Sequence, residues 1–545
     1  MTDRSCRVLL VYPQFVPNSF WNYTDACKLV GARYPAAPLG LITVAGMLPQ
    51  DWEFKLVNRN TEELDLADLD WADIVMTGGM LNQQPDVHRI IKLAHTHGKP
   101  VVVGGLDVTS SPQFYASADF QVRGEAEDVI GDFVAAWKRG ERSGTFIAEK
   151  FQADVTKTPM PRFDLLKLDH YLYICVQYSR GCPFTCEFCD IIELYGRNPR
   201  TKTNAQMLAE LDRLYALGLR GHVDFVDDNL IGNKKALKKF LPDLKTWQES
   251  HDFPFEFSTE ASINLADDDE LLDMMRQANF FAVFVGIESP DPETLKQMRK
   301  KQNTKRNIAE CVHKIYDYGM LVTAGFIVGF DTERVTIADA MVDFIEECAI
   351  PVSMVGLLYA LPNTQLTRRL AKEGRLHPNN GSVPDDYAGD QCMNGINFET
   401  LRPLRDVLFD YRTILEKVYD PAAYAGRLDR FGARLKRGER GLRLPEGDPR
   451  SRVKPLETVR AVVDAVPGAS DLLWASFMNC ARNNPAAVRY TVFLMAMYIY
   501  LGPFSRRTIE QIDRRIAAID AAEQTPMASN AVVIERSSAA GAPLH

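Results

Sequence analysis

Six apolar strands, each followed by a helical stretch, recur between residues 173 and 360, and this repetition limits the fold more than any other feature of the chain. The strands are "YICVQYS" (173–179), "HVDFVDD" (222–228), "FEFSTEA" (255–261), "FAVFVGIES" (281–289), "VTAGFIVGF" (322–330) and "VSMVGLLYA" (352–360). Stretches between them, such as "NAQMLAELDRLYALG" and "DDDELLDMMRQA", carry the period of an amphipathic helix. A helical crossover returns the chain to the same edge of the sheet, so consecutive strands run parallel. Six units suit a partial (β/α)6 barrel, short of the eight that close a full one. In such a fold the chemistry sits at the C-terminal ends of the strands.

A similar alternation precedes it. Apolar strands at 7–13, 54–60, 73–79, 100–105 and 120–125 are separated by stretches such as "PLGLITVAGMLP" and "PDVHRIIKLAHTHG". The pattern predicts a flavodoxin-like (Rossmann-type) α/β domain with a parallel sheet and helices on both faces. Its strands end in Asn58, Gly78–Gly79, Gly104–Gly105 and Gly124. Ligands bind at that edge, and glycine lets the backbone approach them closely. Tight turns alone also explain any one pair, so a nucleotide-binding or purely structural domain stays open. The expected order is an N-terminal domain over 1–140, a linker over 141–170 carrying Pro159 and Pro161, the barrel over 171–377, a mostly helical domain over 378–523 and a disordered tail over 524–545.

The composition, 46% hydrophobic and 25% charged, is that of a soluble globular protein. A net charge of −9 argues against a general nucleic-acid binder. "RVLLVYP" at the start reads as a strand, not a signal peptide. The apolar run at 488–503 is too short to span a bilayer. A buried core helix is the expected reading, with peripheral membrane contact as its rival. Seven of the ten cysteines are scattered, which is no disulfide framework and fits a reducing cytoplasm.

The other three, Cys182, Cys186 and Cys189, stand together in "RGCPFTCEFCD". Structural zinc takes four ligands, and a 4Fe–4S cube normally takes four thiolates, one per iron. Three thiolates leave one iron open to a small molecule. Zinc with a distant fourth ligand is the bland alternative.

This C-x3-C-x2-C spacing, with Phe188 before the last cysteine and at the end of the first barrel strand, resembles the radical S-adenosylmethionine (SAM) superfamily. The resemblance implies that Cys182, Cys186 and Cys189 hold a 4Fe–4S cluster whose open iron chelates SAM, with Phe188 near the adenine. It implies reductive cleavage of SAM to a 5′-deoxyadenosyl radical that abstracts a hydrogen atom. Other matching positions follow the strands. Asp227, Asp228 and Asn229 stand where the superfamily contacts the SAM amino group, though a Gly-Gly-Glu is lacking. Ser258 and Glu260 lie at the third strand end, Glu288 and Ser289 match "GIES", and Ile327 with Gly329 would back the adenine. Asn363 replaces the glycine of the sixth-strand turn.

The pairing of the two α/β regions resembles the cobalamin-binding radical SAM enzymes over residues 5–375. It implies that Gly78, Gly79, Met80 and Leu81 face the corrin, and that Gly104, Gly105, Asp107, Thr109, Gly124 and Glu125 contact the nucleotide tail. The Asp-x-His-x-x-Gly motif is absent, and His88, His95 and His97 lack its spacing, so no histidine ligand to cobalt is expected. "VYPQFVPNSFWNY", "CDIIELYGR", "LLYALPNTQL" and "QCMNGINF" are most similar to the hopanoid C-2 methylase group. That implies methylation of an unactivated carbon on an apolar polycyclic substrate, with flavodoxin or ferredoxin as electron donor. Alternatives are a methylase or cyclase acting on a tetrapyrrole or other natural product, and a non-catalytic iron–sulfur electron carrier. Tyr178, Tyr195, Tyr359 and Cys392 are candidates to line the substrate cavity.

Overall fold

The computed structural model describes residues 5–378, 380–383, 389–390, 393, 395–437 and 455–524. Fifteen strands follow in chain order: β1 (Arg7–Tyr12), β2 (Tyr34–Ala36), β3 (Glu53–Asn58), β4 (Ile74–Gly78), β5 (Val101–Gly104), β6 (Phe120–Arg123), β7 (Gly144–Ile147), β8 (Tyr171–Val176), β9 (Ser179–Arg180), β10 (Arg200–Thr201), β11 (Gly221–Phe225), β12 (Phe255–Glu260), β13 (Phe280–Glu288), β14 (Leu321–Val328) and β15 (Ser353–Leu357). Every predicted strand is present, within a few residues of its expected limits.

The N-terminal sheet has the order β3-β1-β4-β5-β6-β7, all parallel. Val8, Leu9, Leu10 and Val11 are wholly buried because helices cover both faces. The second sheet has the order β15-β14-β13-β12-β11-β8-β2, again all parallel, and curls into a partial barrel.

Two short strands depart from the expected division. β7 lies inside the segment read as linker, yet it pairs with β6 at the edge of the N-terminal sheet. Its exposed and half-buried side chains alternate, which is an edge strand's pattern, and it has no continuous apolar run to betray it. β2 belongs by sequence to the N-terminal region but pairs with β8 at the edge of the barrel sheet.

Beyond the barrel the chain is helical, through Leu404–Val418, Pro421–Arg434, Pro455–Ala465, Ser470–Asn483 and Val488–Gln524. The last runs 37 residues, well past the expected apolar run. By length and composition it is able to cross a membrane, but 72% of its apolar window is buried in the protein. Leu494, Met495, Tyr498 and Leu501 are fully buried, and each contributes about 1.5–3 kcal/mol of hydrophobic stabilisation. The Tyr424 hydroxyl donates to the Leu494 carbonyl at 2.6 Å and the Tyr498 hydroxyl to that of Tyr419 at 2.9 Å. The helix also closes the bottom of the barrel, where Arg489 donates to the buried Glu256 carboxylate at 2.9 Å. The tail from 525 and Cys392 lie outside the described residues.

Candidate functional site

The three-cysteine loop leaves the top of β8 and is tied down by backbone hydrogen bonds. β9 pairs antiparallel with β10. The Cys182 amide donates to the Gly196 carbonyl at 3.2 Å, and Glu187 donates to Met298 at 2.9 Å. Gly181 sits at φ +99°, and a Cβ there would lie 3.0 Å from the Gly196 carbonyl oxygen, so this tight turn requires glycine.

The residues after β11 hold the loop from below. The fully buried Asp227 accepts from the Tyr178 amide at 3.0 Å and from the amide and hydroxyl of Ser179. Burial pushes its carboxyl up to about 7 despite those donors. Asp228 accepts from the Gly181 amide at 3.0 Å. Asn229 reaches Cys182 Sγ at 3.8 Å, and its Oδ1 accepts from the Ser262 amide at 3.1 Å. Asp227 thus fastens the start of the cysteine loop to the end of β11.

Burial pushes the Cys182 thiol up and the Cys189 thiol well above the ordinary range, and each is raised further by its neighbouring thiols. A nearby cation offsets that cost and favours the thiolate of Cys182 and Cys189. Among the described residues no three His, Cys, Asp or Glu side chains converge tightly enough for a single ion. The loop itself offers three thiols, and a 4Fe–4S cube takes one thiolate per iron. Gln302 points Nε2 at Cys186 Sγ from 3.6 Å, while its buried Oε1 has no partner.

Phe188 lies beside the loop, edge to face with Phe330 at 6.1 Å. Glu288 closes β13 at φ +68° and is buried in an ion pair with Lys300. Burial alone would lower the Lys300 ammonium, but Glu288 and Cys186 outweigh it and raise it. Ser289 is fully buried and accepts from the Asp291 amide at 3.2 Å, so it caps a turn. Ile327 is half-buried on the inner face of β14. Asn363 takes φ +64°, the conformation glycine favours, and its side chain donates to the Ser110 carbonyl of the N-terminal domain at 2.8 Å. Glu260 and Ser258 point into the barrel, but Ser258 lies a step below the rim, bonded to Asp224 and to His222. Of the cavity candidates, Tyr178 is buried and stacks on Phe240 at 4.9 Å in the core, while Tyr195 and Tyr359 are half-buried.

At the edge of the N-terminal sheet a cradle is built from backbone. A Cβ on Gly78 would lie 2.0 Å from the Gly104 carbonyl oxygen, and Gly105 and Gly124 sit at φ +95° and +84°. Gly79 is half-buried there, with Met80 exposed and Leu81 starting a short turn. This flat, small-residue edge fits a planar macrocycle. Thr109 accepts from the Gly124 amide at 2.9 Å and ties the two loops together. Two of the expected contact residues have protein partners here. Asp107 turns inward, accepting from Gln84 at 2.9 Å and from Tyr115 at 2.5 Å, so its carboxylate anchors the helix behind the cradle. Glu125 is buried and bonds Arg200 at 2.8 Å and Arg180 at 3.2 Å, so it braces the cysteine loop. Arg180 also bonds Glu127 at 2.8 Å. His88 contacts the Phe114 carbonyl at 2.9 Å, and His95 and His97 face Asp119 and Asp70.

Sequence reasoning missed Arg180, Glu127, Arg200 and Lys300. Arg180 and Arg200 gain Glu125 and Glu127 as partners only because the two domains meet, and Lys300 gains Glu288 twelve residues back through the fold of the barrel itself.

Geometry and sequence comparison agree on the class. The radical SAM superfamily matches residues 176–345, the B12 binding domain matches 29–134, and a domain of unknown function covers 364–514. The fold and site thus define a radical SAM enzyme with a cobalamin domain. An uncharacterized methyltransferase of Synechocystis sp. is 49% identical over 423 residues, 77% of each chain. The hopanoid C-2 methylase of Rhodopseudomonas palustris is 38% identical over 432 residues, 78% of this chain and 79% of that one. The solved structure of OxsB, a cobalamin-dependent SAM radical enzyme with aqua-cobalamin and SAM bound, matches with a TM-score of 0.60 at 14% identity, over 95% of this chain and 81% of that one. TsrM from Kitasatospora setae, with tryptophan and a SAM analogue bound, gives 0.55 at 17% identity, over 77% and 90%. The chain belongs to the cobalamin-dependent radical SAM methyltransferases, and its cofactors are a 4Fe–4S cluster, SAM and cobalamin.

Proposed function

We propose that the protein methylates an unactivated carbon of an apolar polycyclic molecule, C-2 of a hopanoid being the specific acceptor. The observation that carries this reading is the identity with the hopanoid C-2 methylase, which runs through more than three quarters of both chains. A carbon without an acidic proton cannot be activated by side-chain acid–base catalysis, and the cofactors supply the radical and methyl-transfer chemistry.

The chain's own residues do the positioning. Cys182, Cys186 and Cys189 ligate the cluster. Asp227 and Asp228 set the loop, and Asn229 orients Cys182. Phe188, Glu260, Glu288, Ser289 and Ile327 are the SAM-side residues. Lys300 holds the Glu288 carboxylate in place through their buried ion pair, so that it can accept hydrogen bonds without moving. Gly78, Gly79, Met80 and Leu81 face the corrin, and Gly104, Gly105, Thr109 and Gly124 line its flank. The loops over the barrel mouth exclude water from the reacting centre. A flavodoxin or ferredoxin is the proposed electron donor and the cytoplasm the proposed compartment, with the substrate drawn from the adjoining membrane.

The test is anaerobic reconstitution with iron, sulfide, cobalamin, methyl-labelled SAM and a hopanoid. One labelled methyl in the hopanoid product is expected, together with 5′-deoxyadenosine. Replacing any one of the three cysteines with alanine abolishes both. If wild-type protein forms no 5′-deoxyadenosine under strong reduction, the radical reading fails. If it forms 5′-deoxyadenosine but leaves the hopanoid unmethylated, the substrate assignment alone fails.

A further inference from the structure

The barrel is filled on the wrong side for a simple core. On β11, β12, β13 and β14 the residues facing the outer helices, among them Val223, Phe225, Phe257, Val283, Val285, Val322 and Ala324, are completely buried. Many lumen-facing side chains are not: His222, Asp224, Ser258, Glu260, Phe284, Thr323 and Ile327 on these strands, with Tyr173 on β8 and Met354 on β15, keep accessible surface. Layers of side chains plug a packed barrel. Here the lumen-facing side chains below the cysteine loop keep surface that such layers would cover.

One segment closes its open side in a telling way. Ser19, Phe20, Asn22 and Tyr23 are buried, with Phe20 and Tyr23 packed on Phe504 and Tyr500 of the C-terminal helix. Trp21, between them, is 40% exposed. It does not face bulk solvent alone, because its ring meets Phe284 on the inner face of β13 at 5.4 Å. Tyr23 takes φ 38°, a strained conformation for a bulky residue, at the point where the chain turns after presenting Trp21.

Below that aromatic wall the lumen turns polar. The Ser258 hydroxyl donates to Asp224, and His222 Nε2 lies 2.6 Å from Ser258 Oγ. The His222 ring is flanked by Tyr173 and Phe281, each with centroids at 4.9 Å. Ser258 is two residues below Glu260 on β12, about 7 Å deeper along the strand. The next inward residue down, Glu256, is buried against Arg489 and Tyr490 and seals the base.

We propose that this lumen is the acceptor chamber, that Trp21 and Phe284 grip a rigid apolar ring system, and that His222, Ser258 and Asp224 receive a hydroxyl at the end of the acceptor remote from the reacting carbon. The proposal rests on the apolar-polycycle reading given above and names the polar end of that substrate class. A serine hydroxyl, an imidazole and a carboxylate offer both a donor and acceptors to an alcohol. The Asp224 carboxyl group, bonded to Ser258, disfavours an acidic tail in the same place.

The experiment is anaerobic equilibrium dialysis of the holoenzyme against three probes that share a pentacyclic triterpene skeleton and end in a hydrocarbon, a hydroxylated or a carboxylated side chain. Bound probe is quantified by mass spectrometry, and methylation is followed in parallel. The alcohol is expected to bind about tenfold more tightly than the hydrocarbon, one net hydrogen bond's worth, and the acid more weakly than the alcohol. Ser258→Ala and, independently, His222→Gln bring the alcohol-to-hydrocarbon ratio close to one. Trp21→Ala weakens both and leaves the ratio intact, which also shows that the floor is still folded. Equal binding of alcohol and hydrocarbon by wild type, tighter binding of the acid, saturable binding of none, or a ratio that survives both floor variants overturns the proposal. Methylation of the probes without selectivity would sink this proposal alone. Selective binding without methylation would instead sink the hopanoid assignment and leave the chamber standing.

Discussion

Replacing Arg180 with methionine tests whether the cobalamin domain and the cysteine loop are held together by charge. Arg180 precedes Gly181 and Cys182, and its side chain is only 12% exposed. It bonds Glu127 at 2.8 Å and Glu125 at 3.2 Å, carboxylates that are 6% and 3% exposed. Removing one partner of a buried pair costs about 3–5 kcal/mol, because the charge left behind has lost both water and counter-charge. Glu125 keeps Arg200 at 2.8 Å, and Glu127 keeps only the Thr158 hydroxyl at 2.7 Å. One carboxylate is therefore stranded and not two, which places the expected loss at the lower end, about 3 kcal/mol.

Urea unfolding of the cofactor-free protein reads that loss, and cobalamin retained after gel filtration reads the docking. The pH dependence gives the sign. Burial by itself would raise the Glu127 carboxyl, but the Arg180 charge and hydrogen bond outweigh it and hold it below its usual value. A lowered carboxyl stabilises the fold above its unfolded pKa, and that stability is lost as the pH falls through the folded pKa. The gap between wild type and variant is therefore widest near neutrality and narrows in acid, where Glu127 protonates. Adding Glu127→Gln to Arg180→Met should recover part of the loss. A loss under about 1 kcal/mol at neutral pH, with cobalamin retention unchanged, would refute the reasoning.

Three further outcomes are expected. Gly78→Ala drives a Cβ to 2.0 Å from the backbone oxygen of Gly104, so thermal melting should fall steeply and cobalamin should not be retained. Lys300→Met strands the buried Glu288 carboxylate, and SAM affinity measured by equilibrium dialysis should drop, whereas Lys300→Arg keeps part of it. Glu333 is buried with its carboxyl raised to about 8, chiefly by desolvation. A raised carboxyl makes stability fall as the pH climbs from its unfolded pKa toward that value. Glu333→Gln should flatten the stability profile between that unfolded pKa and about 8, and a variant with the wild-type slope would show that Glu333 stays ionised in the fold.

Both α/β regions were legible because their strands are continuous apolar runs, such as "RVLLVY" and "FAVFVGI", that only burial on both faces explains. The cysteine loop was legible because three thiols at that spacing have few other uses. The protein partners of the acidic residues were not legible. The family resemblance implies ligand contacts for Asp107, Glu125 and Asp227, but a carboxylate at a strand end serves equally to bind a neighbouring loop. Which it does depends on whether partners such as Tyr115, Arg200 or Ser179 come within reach. Those partners lie up to 75 residues away in the chain, so no local pattern reveals them. β7 hid because an edge strand carries only alternate inward residues, and β2 because three residues are too few to show a period.

β2 has a consequence for how the protein is made. Its neighbour β8 emerges from the ribosome more than a hundred residues later, and until then Tyr34 and Ala36 have nowhere to pair. Co-translational folding usually finishes one domain before the next, but here the first cannot be completed without the second. Cutting the gene between them would leave an unpaired strand on one product and a bare edge on the other, both prone to aggregate. The two halves are expected to require joint expression, as a single continuous polypeptide, to remain in solution.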